Sequence, residues 1–349
     1  LGIDQNALYM GANMFCPTNY AHSNVWVIPK SGGAPGGTVF SFINVTNGTS
    51  GPGPYSPMGV DSDDPQQTEG YFIGDDLAVF SQLDVIKVST PAGTPTIGST
   101  LALTVPATTN PILQPASGST TNLDASDTRL IKAAIHKNKI TGVSTLWTAH
   151  HMEVNTACVG TFGGGRNGAR WYEIGGTVPT TTQPLGGSIY LRQAGTLCDP
   201  TVSGPKGYIY PSVVETGQGH MALGATVASA SAFASVATAG RFRSDTLGAT
   251  QAATTAVAGT ASYNQVSGGR NRWGDYSFTD VDPNDDQTVW TFQEYCDASN
   301  SWAVQAVQLK APAPATPASA SSSVCQGRAS TSVIITGTST SGTEFFDPG

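Results

Sequence analysis

The sequence predicts an all-β chain organised as a β-propeller. Three observations predict it: one strand–turn–strand plan recurs five times, the composition favours turns over helices, and no segment carries a sustained apolar stripe of 3.6-residue period. In each copy an apolar strand ends in an acid or His, a polar turn follows, and a second strand opens on an aromatic or apolar residue. The first copy is Gly2-Ile3-Asp4 with Leu8-Tyr9-Met10-Gly11-Ala12-Asn13, and the second is Gly59-Val60-Asp61 with Gly70-Tyr71-Phe72-Ile73-Gly74-Asp75. The third is Ala134-Ile135-His136 with Leu146-Trp147-Thr148-Ala149-His150-His151. The fourth, Val213-Val214-Glu215 with Met221-Ala222-Leu223, is the weakest, and the fifth is Asp280-Val281-Asp282 with Val289-Trp290-Thr291-Phe292-Gln293-Glu294.

A further alternating strand follows the first, second, third and fifth copies: Asn24–Ile28, Leu83–Val88, Ala169–Ile174 and Ser301–Val307. The markers at positions 4, 61, 136, 215 and 282 are separated by 57, 75, 79 and 67 residues. Such intervals suit propeller blades with loop insertions and are too irregular for a solenoid. Short strands between turns also suit a pair of sandwiches, against which the radial repeat argues. Five copies and a start in mid-blade imply six or seven four-stranded blades, with the ring incomplete at the N-terminus. Residues 1–310 are assigned to this domain. The Ala-Pro-Ala-Pro-Ala-Thr-Pro run opens an extended linker over residues 311–323. Residues 324–349 are too few to bury a core and read as the start of a second all-β domain of immunoglobulin-like type.

Charged residues make up only 11% of the chain, whereas 41 Gly and 22 Pro supply turn formers throughout. A net charge of -8 without any Lys/Arg run excludes nucleic acid as a partner. No apolar run reaches the roughly 20 residues of a membrane helix, so no transmembrane segment is expected. The five cysteines, at 16, 158, 198, 296 and 325, show no zinc-ligand spacing and read as disulfide formers. Cys158 and Cys198 flank the Arg170 strand in loop-rich sequence and form the expected pair; Cys325 is expected to pair outside the chain or stay free. Two sequons, Asn44-Val-Thr and Asn47-Gly-Thr, add to the reading of a secreted or cell-surface glycoprotein. The natural polypeptide is expected to begin before Leu1.

Arg272-Trp273-Gly274-Asp275-Tyr276-Ser277, followed by Val281-Asp282-Pro283 and Trp290, resembles a broad group of bacterial secreted β-propeller proteins. The opening Leu8-Tyr9-Met10-Gly11-Ala12-Asn13-Met14-Phe15 and the stretch Ala169-Arg170-Trp171-Tyr172-Glu173-Ile174 resemble the same group. The likeness covers most of residues 1–310 and implies a bacterial, extracytoplasmic fold without implying a function. A fainter likeness is to sialidases and related glycan-active propellers, whose turn motif spaces an Asp and a Trp as Asp282 and Trp290 are spaced. Here Asp286-Gln287 stands where that motif has Gly. Ile335-Thr336-Gly337 and Asp347-Pro348-Gly349 resemble the start of immunoglobulin-like modules of bacterial surface proteins.

The repeat register singles out one polar residue per blade, four positions after the aromatic: Asn13, Asp75, His151 and Glu294. Equivalent positions of a propeller lie on a circle about its axis, so these side chains either ring a ligand funnel or satisfy backbone groups where strands end. Arg272, Asp275 and Tyr276 join them as ligand-binding candidates: a fixed cation, an acid and a phenol beside Gly274 suit a carboxylate or a sugar ring. The alternative is an Arg272–Asp275 ion pair pinning a blade, with Trp273 and Tyr276 packed between blades; Arg170 and Trp171 admit the same two readings.

His151 and Glu153 share a strand face, and a metal there needs a ligand such as His136 or His220 from another blade. Two oxygen-rich turns are candidates for calcium: Asp61, Asp63 and Asp64 with Glu69, and Asp280, Asp282 and Asp285 with Asp286. Neither has EF-hand spacing, and no Gly-x-Ser-x-Gly turn or Cys beside a candidate His marks a nucleophile. If the chain is catalytic, His151, Glu294 and Tyr276 are the candidates.

Three functions stay open. One is a non-catalytic propeller for surface display, adhesion, assembly or glycan binding, with extracellular glycans or surface proteins as partners. Another is a glycan-active hydrolase or lyase, and a third is a self-assembling subunit of an extracellular filament. The acid-rich candidate set favours calcium or a neutral, hydroxyl-rich sugar over a polyanion.

Overall fold

The computed structural model describes the chain except residues 32–33, 36–37, 48–50, 178–184, 322, 324–325, 328–331, 340–344 and 347–349. Cys325 and part of the second sequon therefore lie outside the described residues. Those described are all-β: 26 strands and no helix, hence no helix long and apolar enough to cross a membrane. Apart from Asp61–Ser62, which runs parallel to Lys132–Asn138, the strands pair antiparallel.

Five sheets follow one another along the chain, each built on one copy of the repeat. The first strand of a copy pairs with the second, and the second with the third: Gly2–Ile3, Ala7–Phe15 and Tyr20–Ser31 in the first sheet, and Tyr55–Gly59, Gly70–Asp75 and Gln82–Ser89 in the second. The third sheet is led by Lys132–Asn138, Val143–Val154 and Arg166–Gly176, and the fourth by Gly207–Glu215, Met221–Ser229 and Ala232–Arg241. The fifth consists of Phe278–Val281, Thr288–Ala298 and Ser301–Lys310. Thr316–Ala320, within the predicted linker, pairs with Ile335–Thr338 as a separate two-stranded ribbon.

The repeat is visible in the register. Tyr9 lies opposite Gly2, Trp147 opposite Ala134 and Trp290 opposite Asp280, each two positions before its marker. In the second copy Phe72 takes that place, opposite Gly59, while Tyr71 keeps the same facing as Tyr9 and Trp147. The marker acids close their own turns: Asp4 accepts from the Asn6 and Ala7 amides and the Tyr9 hydroxyl, and Asp282 from the Asn284 amide and the Trp290 indole.

The core lies between consecutive sheets. Tyr9, Val25, Phe72 and Ile86 fill the space between the first and second; Tyr71, Leu83, Ile135 and Tyr172 that between the second and third. Trp147 stacks on Trp171 at 5.7 Å beside Val213 and Leu223 of the fourth sheet. Gly11 and Gly59 permit close approach of the first two sheets, since a Cβ would stand 1.8 Å from the Pro57 carbonyl oxygen at the one and 2.3 Å from the Tyr9 carbonyl oxygen at the other. Covered on both faces, the third sheet buries nearly every residue of Val143–Val154. Thr291 and Gln293 of the fifth sheet face Gly224 of the fourth, so Trp290, Phe292 and Glu294 point away from it, and Phe292 is exposed.

Cys158 and Cys198 form the predicted disulfide, with their Cα atoms 5.7 Å apart. Cys16 is free and exposed, and Cys296 is free and buried.

Candidate functional site

The segment Arg272–Phe278 leads into the fifth sheet, and its side chains part to opposite sides. Trp273 is buried edge-on against Tyr263, 4.9 Å between centroids, so it anchors the segment. Arg272, Asp275 and Tyr276 remain accessible and share one open cleft with Phe278, Phe292, Glu294, Trp302 and Val304, with a volume of about 650 Å³. Trp302 is 57% exposed and Tyr276 55%, so two ring faces are free to receive a flat apolar surface. Arg272 lies 3.8 Å from Asp275 and 3.5 Å from Asp124, an ion-pair cluster open to solvent.

Glu294 supplies the titratable group of the cleft. Burial, outweighing the Gly274 amide bond and aided by the Asp275 charge, pushes its carboxyl up to about 7. Gly274 lies close beside it: a Cβ there would stand 1.9 Å from Glu294 Oε2, so a larger residue would push the carboxyl aside.

The other register residues are spent on structure. Asn13 donates to the Ser56 hydroxyl at 2.7 Å and accepts from the Ser56 amide and the Ser23 hydroxyl. Asp75 is buried and accepts from the Thr128 hydroxyl, while its Oδ1 has no hydrogen-bond partner; burial raises its carboxyl to about 7. His151 donates from Nε2 to the Ala125 carbonyl at 2.5 Å and accepts at Nδ1 from the Tyr210 amide at 3.1 Å. Burial lowers its pKa to about 4, and that of His150 to about 3. Both imidazoles are therefore neutral at physiological pH, and neither lines the cleft. Glu153 accepts from the Gly163 and Gly165 amides.

The contacts of Asp75, His150 and His151 converge on Asp124-Ala125-Ser126-Asp127-Thr128-Arg129, which lies in the connection between the second and third copies. Asp75 and Tyr55 reach it from the second sheet, His150 and His151 from the third, and Tyr210 from the fourth. On the side of the fifth sheet, Arg129 donates to the Tyr276 hydroxyl at 3.2 Å, Arg270 and Arg272 pair with Asp124, and the Asn271 carbonyl accepts from the Asp124 amide. His150 and His151 thus bond to main-chain groups, the second of the two readings that the register allowed. The segment's signal was two Asx turns, Asp124 to the Ser126 amide and Asp127 to the Arg129 amide. A second cleft of about 440 Å³ joins Asn13, Ser56, Asp61, Arg129, Lys132 and Tyr276.

The acids predicted for calcium are held by protein groups. Asp61 accepts from the Ile3 amide, Asp64 from the Gln66 amide and Ser144 hydroxyl, and Asp280 pairs with the buried Lys132 at 3.1 Å. Asp285 accepts from the Gln287 and Thr288 amides, and Asp286 binds His136 at 2.6 Å and Lys139 at 3.0 Å. Asp63 lines a cleft with Asp64, His136, Lys137, Lys139 and Asp286, where cations already offset the acids. Among the described residues no group of three or more His, Cys, Asp or Glu side chains is placed to hold a metal ion. His220 accepts from the Arg243 amide, far in its bonding from His151. Arg170 and Trp171 are buried, bonded to the Thr196 and Thr250 hydroxyls, and act as staples.

Of the seven ligand-binding candidates, Arg272, Asp275, Tyr276 and Glu294 come together; Asn13 meets only Tyr276, in the second cleft, and Asp75 and His151 line neither. Sequence reasoning missed Phe278, Phe292, Trp302 and Val304 as cleft residues. In comparisons with known proteins, no family model, no curated protein and no solved structure matches the chain.

Proposed function

We propose that residues 1–310 form a β-propeller whose fifth sheet binds neutral glycan chains, and that the chain serves outside the cytoplasm as a non-catalytic binding and display module. The observation that carries this reading is the cleft itself. Exposed Trp302 and Tyr276 rings offer stacking surfaces, while Glu294, Asp275 and Arg272 offer acceptors and a donor for sugar hydroxyls. Two carboxyls against one guanidinium disfavour a polyanion. The propeller assignment is supported by five consecutive sheets on one strand plan with the core between them. The Cys158–Cys198 bridge and the exposed Asn44 of the first sequon support an extracytoplasmic location.

The test is titration of the chain with a panel of neutral oligosaccharides, followed by tryptophan fluorescence. Binding is expected for the parent, with a loss of at least about fivefold in Trp302→Ala, since a stacking ring contributes on the order of 1 kcal/mol or more. Equal binding by parent and variant, or none by either, overturns the reading.

A glycan-active enzyme is the second reading, favoured by one observation. Glu294, with its carboxyl near 7, is partly protonated at neutral pH and shares the cleft with the Asp275 carboxyl, the two-carboxyl set that glycoside hydrolysis uses. Release of reducing ends from a bound oligosaccharide, abolished in Glu294→Gln, would select it.

A further inference from the structure

The cleft of about 650 Å³ and that of about 440 Å³ share three lining residues, Tyr276, Ser277 and Phe278. Strand register sets the two along one sheet face. Phe278 lies opposite Phe292 and Glu294 opposite Val304, and directly opposed residues point to the same side of a sheet, as do residues two apart along a strand. Phe278, Phe292, Glu294, Trp302 and Val304 therefore share the face turned away from the fourth sheet. It runs from Trp302 on the last strand to Phe278 on the first, and from Phe278 and Tyr276 onward it forms one wall of the smaller cleft, whose other wall carries Asn13 and Phe15 of the first sheet and Ser56 of the second. Exposed rings recur along the whole path: Trp302, Phe292, Phe278, Tyr276 and, on the far wall, Phe15.

From this continuity we infer that the two clefts are one track for a linear, neutral polysaccharide, held along internal units of its chain with one part over Trp302 and another over Phe15. The inference rests on the glycan reading and adds to it a second contact region and a dependence on chain length. A pocket for a chain terminus closes around a single sugar ring, whereas here the aromatic rings are spread along a sheet face, where each can stack a different unit. The smaller cleft asks for no charge on the ligand. Arg129 is spent on both carboxyl oxygens of Asp127, and Lys132 on Asp280 and on the Phe278 ring, 4.2 Å from its centroid. What the cleft offers instead are two oriented hydroxyls. Ser56 Oγ accepts from Asn13 and Tyr276 Oη from Arg129, and among the described residues neither gives away its own proton, which is left to donate to a sugar oxygen.

Fluorescence titration of the full chain with cello-oligosaccharides and manno-oligosaccharides, each from the disaccharide to the octasaccharide, tests it. In the series that binds, the parent is expected to hold the octasaccharide at least about twentyfold more tightly than the disaccharide, one further stacked ring and one further hydrogen bond giving about fivefold each. That exceeds the statistical gain from the registers a longer chain offers. Phe15→Ala, at an exposed position and with the parent's melting temperature, is expected to weaken the octasaccharide about fivefold and leave the disaccharide unchanged, whereas Trp302→Ala weakens both. A disaccharide bound as tightly as the octasaccharide, or a Phe15→Ala variant that keeps the full gain with length, would overturn the inference and leave the glycan reading standing. No binding at any length in either series would overturn both.

Discussion

Replacing Asp75 with Asn separates a structural acid from a ligand-binding one. The carboxyl is 5% exposed, its Oδ1 has no partner, and Thr128 donates to Oδ2. Burial raises its pKa to about 7, against about 3.9 in an unfolded chain. Below the lower value both states are protonated and the group does not affect stability. As pH rises from about 4 to about 7 the unfolded chain releases its proton while the fold retains it, so stability falls, and above 7 the cost is complete. Three pKa units correspond to about 4 kcal/mol. Asn does not ionise and removes that pH-dependent cost, though its amide inherits a place without a partner at every pH. The expected outcome is therefore a difference of differences: relative to the parent, Asp75→Asn gains about 4 kcal/mol more at pH 8 than at pH 4. Urea denaturation of both proteins at the two pH values, followed by tryptophan fluorescence, measures it. A parent–variant difference that is the same at both pH values would refute the reasoning.

His151 has the opposite sign. Its pKa falls on folding from about 6.5 to about 4, so its contribution is present above 6.5 and lost as pH falls; His151→Gln should flatten the acid limb of a stability–pH curve by up to about 3 kcal/mol. Reduction of Cys158–Cys198, which closes a loop of 40 residues, should lower stability by about 4 kcal/mol in denaturant titrations with and without reductant. Gly274→Ala should displace Glu294 and weaken oligosaccharide binding at least about tenfold; unchanged affinity in the fluorescence titration would show that Glu294 does not contact the ligand.

The fold was largely legible because the strand plan is written locally: Asp4 with Tyr9 and Asp282 with Trp290 form the same acid–aromatic closure 278 residues apart. The second copy shows where such reading slips. Two adjacent aromatics, Tyr71 and Phe72, compete for one register, and only pairing with Gly59 decides between them. In the site, the Arg272–Tyr276 motif and the register position of Glu294 led to the cleft. The register also shows why Glu294 stayed open in the larger cleft while Asp75 and His151 did not. Asn13 and His151 face a following sheet that supplies Ser56 and the Tyr210 amide, and Asp75 faces Thr128, whereas the fifth sheet leaves Glu294 in the cleft. Residues 124–129 were illegible because their partners come from three sheets and from the segment 270–276, and no local period marks a segment stabilised by contacts that remote. Trp302 read as an ordinary alternating residue, since alternation reports a face and not whether that face is covered.

The measurement that tests the glycan-binding cleft most directly is a crystal structure of the chain soaked with a neutral oligosaccharide that binds in solution. The account predicts a sugar ring stacked on Trp302 or Tyr276 with hydroxyls bonded to Glu294 and Asp275. A sugar bound at any other place, with this cleft holding only water, would contradict it.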